Sequence, residues 1–210
     1  MAKQIEGVYD RVLECARKEF LEKGFKDASL RVIAKEASTS TGSIYTRFHD
    51  KNGLFGALVE PVVNMINSMS DELESEFESR DGQTQADTMG EYSMESHGEI
   101  IDFIYDHKDS FLLLLNCSYG SKFEHFQDAL IEMEERSTVN FLKATGHEDL
   151  LEKPGMYNFI HMLSTSYCSG IFEPLLHGLS RQSAHEYDEM FTRYHVAGFE
   201  TLMKTETKAV

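Results

Sequence analysis

The sequence predicts an all-α protein, and three observations carry that prediction. Apolar residues recur with a period near 3.6 along most of the chain. No sustained alternation of β-branched residues and no Asn-Gly hairpin signal is present. Only three prolines stand in 210 residues. The hydrophobic share, 41%, and the aromatic share, 11%, suit an ordinary globular core. No apolar run approaches the ~20 residues of a membrane span. The start, MAKQIEGVYDRV, lacks the apolar stretch of a signal peptide. Three cysteines, Cys15, Cys117 and Cys168, lie far apart. They form neither a disulfide framework nor a zinc set, and they suit the reduced thiols of a cytoplasmic protein.

Each element has its own local reason. Ile5, Val8, Val12, Ala16 and Phe20 fall on one helical stripe, and Gly24 after Lys23 is a stop signal. Ser29 is a candidate cap for a short segment, Leu30 to Ala37. The polar cluster Ser38-Thr39-Ser40-Thr41 interrupts it, and a second short segment, Gly42 to Phe48, follows. Asp50 opens a long helix from about Lys51 to Ser79, closed by Asp81-Gly82. Pro61 falls inside that helix and predicts a kink near Ala57–Pro61. Further helices are expected near 85–107, 109–116, 122–145, 155–179 and 183–204, the last opened by a capping box, Ser183-x-x-Glu186. The segment 155–179 holds one charged residue, Glu173, and is apolar nearly all round. A helix of that kind must be covered on every face, which a second subunit would do simply. Gly170 and Gly198 are small enough for close approach there, and Pro174 is expected to make a packing kink near the same surface.

Residues 29–55, SLRVIAKEASTSTGSIYTRFHDKNGLF, carry the most information. Two short helices joined by a small-residue turn follow one longer helix, the layout of a helix-turn-helix. Ile33, Ala34 and Ala37 give the first short helix an inner face, and Ile44 and Phe48 do so for the second. Thr41, Gly42, Ser43, Tyr45, Thr46 and Arg47 are left outward. Small groups and hydroxyls allow close approach to base edges, and arginine pairs with guanine or phosphate. On composition alone an ordinary helix surface would do as well. The formal charge of −16 is unevenly spread. Residues 1–55 hold ten Lys/Arg and eight Asp/Glu, a net of +2, leaving ten and twenty-eight, a net of −18, for residues 56–210. Any contact with polyanionic DNA is therefore expected within the first 55 residues.

This stretch resembles the DNA-binding motif of the TetR family of bacterial transcriptional regulators. The matching residues are Ser29, Ile33-Ala34, Ala37, Ser40, Gly42, Tyr45, Phe48, Lys51 and Leu54-Phe55. The departure lies in the turn, where Ser38 replaces the usual glycine and Thr39 the usual valine, so Ser38 is expected to need a positive φ. The resemblance covers about residues 5–60. It implies a DNA-binding domain over 1–50 and a helical ligand-binding and dimerisation domain over 51–210. It implies that Ser29, Thr39, Thr41, Gly42, Ser43, Tyr45, Thr46, Arg47 and Lys51 form the DNA-binding set. In that set Tyr45 and Lys51 serve phosphate, and the groove-facing small residues serve sequence. It also implies a homodimer on a palindromic operator, joined through the helices near 155–179 and 183–204, and a small-molecule effector that relieves repression. Pro61 would then either shape a hinge or make a kink without a role in the response.

The resemblance implies an effector pocket, with Met65, Met69, Phe103, Phe111, Tyr119, Phe126, Met133, Met162 and Tyr167 as candidate lining. Met and aromatic side chains suit an adaptable apolar site. His107, His125, His161 and Cys117 are candidate polar contacts. No H-E-x-x-H, Walker or G-x-S-x-G motif is present, no glutamate has a histidine three residues on, and no two histidines stand four apart. The expectation is a regulator without catalytic residues, cofactor or metal. A helical small-molecule-binding protein without operator binding is the alternative.

Overall fold

The computed structural model describes residues 2–204, with the side chains of 7–204. Every regular element among them is helical: α1 (Ala2–Asp27), α2 (Leu30–Glu36), α3 (Thr41–Phe48), α4 (Lys51–Glu78), α5 (Gly82–Asp106), α6 (Lys108–Asn116), α7 (Phe126–Ala144), α8 (Met156–Leu176) and α9 (Arg181–Lys204). A 3-10 turn, Glu148–Glu152, which the periodicity did not announce, precedes α8. The chain divides into two compact units, residues 1–65 with 107–126, and 66–106 with 127–210. α4 contributes to both.

The first unit is built on α1. Val12, Ala16 and Phe20 of the expected stripe are buried; Val8 is half-buried, and the Ile5 side chain lies outside the described residues. Gly24 takes φ 73, ψ 164 and breaks the helix where its missing Cβ makes that cheap. The Phe25 N–H released there donates to the Cys117 carbonyl at 2.7 Å, so the break leaves no orphan donor. Phe55 of α4 then meets Phe20 edge-on at 5.0 Å, Phe25 at 5.4 Å and Phe123 at 6.1 Å. α6 adds the fully buried Phe111, Leu113 and Leu114. The helix expected from residue 122 starts only at Phe126, because turns occupy 117–125.

In the second unit α5 lies along α9, and α8 packs on α9 and on the 3-10 turn. Leu142, Leu150 and Ile160 form a core into which Phe199 and Met203 pack. A Cβ on Gly82 would stand 1.8 Å from the Ala144 carbonyl oxygen, so only glycine lets α5 start there. Gly170 is buried, and a Cβ there would stand 2.1 Å from Cζ of Phe191. Its smallness serves α8–α9 packing within the chain, not the approach of a second copy. The cap of α9 also differs from expectation: Ser180, not Ser183, is the capping residue, accepting from the Ser183 N–H at 3.1 Å. α4 and α8 run on through Pro61 and Pro174.

Candidate nucleic-acid interface and cavity

α2 and α3 present the expected inner faces. Ile33, Ala34, Ala37, Ile44 and Phe48 are all buried. The turn between them explains the departure at Ser38. Its φ is +53, its N–H donates to the Lys35 carbonyl at 3.2 Å, and the Thr39 N–H donates to the Ala34 carbonyl at 2.9 Å. Those two bonds are a Schellman closure with serine in the left-handed position that glycine occupies freely. Ser40 caps α3, its Oγ accepting from the Ser43 N–H at 3.0 Å.

Of the expected DNA-binding set, Gly42, Ser43, Tyr45, Thr46 and Arg47 are exposed, while Ser29, Thr39, Thr41 and Lys51 are half-buried. Tyr45 stands 53% exposed, a large amount for an aromatic ring beside a core. The Thr46 hydroxyl donates back to the Gly42 carbonyl at 2.9 Å, leaving its methyl and lone pairs outward. The Arg47 guanidinium lies 4.5 Å from the Tyr9 ring, which itself stacks on Phe48 at 5.6 Å. That cation–π contact fixes where the charge sits. Ser29 takes the cap position of α2, but its side chain makes no capping bond. Its N–H instead donates to Glu19 Oε1 at 3.0 Å, which gives that buried carboxylate a role no motif announced.

Lys51 is more engaged than a phosphate ligand would need to be. Its Nζ donates to the Lys26 and Ala28 carbonyls at 2.9 and 3.2 Å and lies over the Phe25 ring. It closes the C-terminal end of α1, with one of three donors left over. The α3–α4 junction is equally tight. His49 takes φ 68, ψ −47, and the Asp50 N–H donates across it to the Phe48 carbonyl at 2.8 Å, a γ-turn. Asp50 caps α4 through the Gly53 N–H at 2.7 Å. A Cβ on Gly53 would stand 1.8 Å from the Phe48 oxygen.

The second unit encloses a cavity of about 680 Å3, walled by α4, α5, α7, α8 and α9. Met133, Met162 and Tyr167 of the expected lining are on its wall. Met65, Met69 and Phe103 are not, Met65 being exposed. Phe111, Tyr119 and Phe126 belong to the first unit, where Phe111 is core and Tyr119 exposed. His107, His125 and Cys117 also lie in that unit, and the exposed His161 pairs with Glu135. Titratable groups on the wall that the sequence did not announce include Glu74, Tyr92, His97, Glu134 and His195, among several serines and Thr138. His97 Nδ1 is 2.9 Å from both Asp188 Oδ1 and Thr192 Oγ1. Glu74 Oε2 accepts from Arg136 at 2.8 Å, and its buried Oε1 has no partner. Burial first, and Glu74 next among the raising causes, push the Glu134 carboxyl above the usual carboxylate range, against His97 and a Thr138 hydrogen bond. Burial lowers His195 and, with nearby carboxylates, raises Tyr167 and Cys168 well beyond their ordinary values. Among the described residues no group of three or more His, Cys, Asp or Glu could hold a metal, and no helix is long and apolar enough to cross a membrane.

Comparison with known proteins bears on both units. Residues 12–58 match the family of bacterial regulatory proteins, tetR family. The chain is 36% identical over 73 residues to YvdT, an uncharacterized HTH-type transcriptional regulator of Bacillus subtilis (strain 168), a match spanning 35% of this chain and 36% of that protein. NalD, the secondary repressor of the MexAB-OprM multidrug efflux pump in Pseudomonas aeruginosa, aligns with a TM-score of 0.57 at 16% identity, over 92% of this chain and 97% of its own. A structure described as a TetR-family transcriptional regulator from Syntrophomonas wolfei gives 0.53 at 16% identity, over 92% and 96%. At such identities the structural likeness speaks of fold, and the motif over α1–α4 speaks of family. Over residues 12–58 the chain is similar to the tetR family of bacterial regulatory proteins, and it shares its fold with the solved structures.

Proposed function

We propose that this protein is a ligand-responsive transcriptional regulator that binds a palindromic operator as a homodimer and is released by a small, largely apolar molecule. The observation that carries the reading is the outer face of α3. Ile44 and Phe48 are buried against the unit while Gly42, Ser43, Tyr45, Thr46 and Arg47 stay exposed. A second helix with small outward residues is what a major groove admits. Tyr45 and Arg47 serve phosphate in this reading, Thr41, Thr46 and Ser43 face base edges, and Gly42 allows close approach. Thr39 adds to the groove face from the turn, and Ser29 stands beside the backbone. Lys51 reaches phosphate only with its remaining donor.

Dimerisation through α8 and α9 is supported by what those helices leave uncovered. Tyr157 and Leu176 on α8 and Met190 on α9 are exposed large apolar side chains away from the cavity, and Met162, Tyr194 and Leu202 are exposed at its rim. Tyr194 reaches 76%. An apolar set of that size on two adjacent helices suits a partner surface. The cavity is the effector site in this reading, its size within the ~300–1,000 Å3 of small-molecule pockets. Occupation shifts the population away from the DNA-competent state.

The test is binding of the purified protein to the DNA upstream of its own gene, followed by genome-wide selection of fragments. Selective binding is expected. Tyr45→Phe is expected to weaken it about fivefold on every sequence, the worth of one hydrogen bond. Lys51→Met is expected to lower stability more than affinity. Selection that enriches no sequence would leave a helical small-molecule-binding protein and overturn the regulator reading.

A further inference from the structure

The cavity wall carries more negative than positive charge. Two glutamates reach it from different helices, Glu74 of α4 and Glu134 of α7. Lysine is absent from its lining. Two guanidiniums lie near it among the described residues: Arg136, more than half exposed, holds Glu74 Oε2, and Arg80, paired with Glu76, lies over the Tyr92 and Phe77 rings at 4.5 and 5.6 Å. Glu74 Oε1 is buried and has no partner. The ring nitrogen of His97 that faces the unit's interior acids is already bonded to Asp188, a buried carboxylate of α9, and to Thr192. His195 is disfavoured as a cation by burial and by His97. Thr138 supplies Glu134 with one hydrogen bond, and no countercharge reaches it beyond His97. The remaining wall is largely aromatic. Phe77 lies between Tyr92 at 5.0 Å and Phe141 at 6.1 Å, Phe141 continues to Phe199 at 5.9 Å, and Tyr167 stands against His97 at 4.8 Å.

We propose that the cavity takes a lipophilic cation, a single positive charge on an aromatic or branched hydrocarbon body, with Glu134 as its charge partner, Glu74 Oε1 as its second acceptor, and the Phe77, Tyr92, Phe141 and Tyr167 rings as its walls. This rests on reading the cavity as the effector site. A half-buried carboxylate with only His97 as a facing positive group is poorly placed when the cavity holds no cation, because desolvation disfavours the charge. A cation brought in by the ligand supplies what the wall lacks. The Phe141 and Tyr167 faces attract the same charge through their quadrupoles, while Arg80 already lies over Tyr92 and Phe77. An anionic or neutral body of the same shape gains the apolar contact alone, and an anion also meets two carboxylates.

Binding is linked to proton release. The charged and titratable groups around Glu134 and the bound charge include Glu74 on α4, Tyr92 and His97 on α5, Tyr167 and Cys168 on α8, and Asp188 and His195 on α9, with Arg136 on its own helix, Arg80 over the Tyr92 ring and the exposed Tyr194 at the rim. Tyr92, Tyr167 and Cys168 are raised from values already alkaline, so they stay neutral near neutrality. Glu134, held above the usual carboxylate range by burial, is a group from which a bound cation displaces a proton as pH falls.

The experiment titrates the full-length protein calorimetrically with tetraphenylphosphonium and, separately, with tetraphenylborate, a pair alike in shape and opposite in charge. The phosphonium is expected to bind at least about tenfold more tightly, and more tightly as pH rises through the acidic range. Glu134→Gln keeps the shape of the side chain, and it is expected to lower phosphonium affinity about tenfold and flatten the pH dependence. Equal affinity for the two ions, no binding of the phosphonium, or phosphonium affinity unchanged in the glutamine variant would each overturn the proposal. Operator binding is measured in the same preparation. If it is absent while the phosphonium binds through Glu134, the regulator reading falls and the cation site stands.

Discussion

Ser38 shows how much one side chain can hold against the backbone's preference. At φ +53 it occupies the region where a Cβ crowds the following carbonyl, and its reward is a Schellman closure that sets the α2–α3 turn. Ser38→Gly is expected to stabilise the protein by about 0.5–1 kcal/mol, the relief of strain exceeding the entropy glycine adds to the unfolded chain. A thermal melt should show a Tm about 2 °C higher; a lower one would mean the serine is held by something else. Glu134 is a second residue set against its surroundings. Its folded-state pKa is raised above the unfolded value, so the folded protein holds the proton more tightly. Both states are protonated below about pH 4, where the residue contributes nothing either way. As pH rises through the folded pKa, stability is lost. Glu134→Gln should therefore match the parent in melts near pH 4 and melt higher near pH 8. The need for left-handed backbone at Ser38 was legible, because a serine stood in a turn where glycine is usual. The strain at His49 was not, since nothing in His-Asp-Lys marks a γ-turn. Glu74 and Glu134 were hidden for a different reason. Each lies within an acidic run, Asp71 to Glu78 and Glu132 to Glu135, and local sequence does not distinguish the carboxylate that turns inward from its solvated neighbours.

At the scale of elements, helix-stop chemistry made most boundaries legible. Gly24, Asp50 and Asp81 each act through a side-chain or backbone property that needs no tertiary partner, whereas Gly82 is also held to glycine by the Ala144 carbonyl of α7. Asp50 and Asp81 both accept backbone N–H groups at the helix they open. What sequence could not assign was the partner of each apolar face. α8 is apolar nearly all round, and both subunit contact and internal packing need such a helix. In the fold, Ile160, Cys168, Phe172 and Leu175 turn inward, Met162 sits exposed at the cavity rim, and Tyr157 faces away. Gly170 belongs to the inward set through Phe191. Gly170→Ala is expected to cost about 1–3 kcal/mol by overpacking, with Phe191→Leu recovering part of the loss. Denaturation at several protein concentrations checks this. A loss of equal size at every concentration identifies an internal contact, and a loss confined to dilute protein would place the glycine between subunits.

For the whole molecule, charge is the dominant global property. The uneven division, +2 over residues 1–55 and −18 over the remainder, confines any attraction to DNA to the helices that carry α3. With few cations available, few counterions are released on binding. The slope of log affinity against log salt is expected to be shallow, set by Arg47 and a small number of lysines at about 0.9 per phosphate neutralised. Arg47→Ala is expected to reduce it by about one such unit. An unchanged slope would mean the guanidinium stays on Tyr9 and never reaches the backbone of the duplex.

The first compact unit is assembled from two stretches of chain, residues 1–65 and 107–126. Its aromatic centre includes Phe123, and the freed N–H of Phe25 is satisfied only by the carbonyl of Cys117. During synthesis, then, the helix-turn-helix cannot finish its core when its own residues leave the ribosome. It must wait, partly uncovered, until residue 126 of 210 has emerged. A nascent chain of this design cannot complete that core until more than half of it has been made. The same wait leaves Phe20, Phe25 and Phe55 open to chaperones or to neighbouring chains.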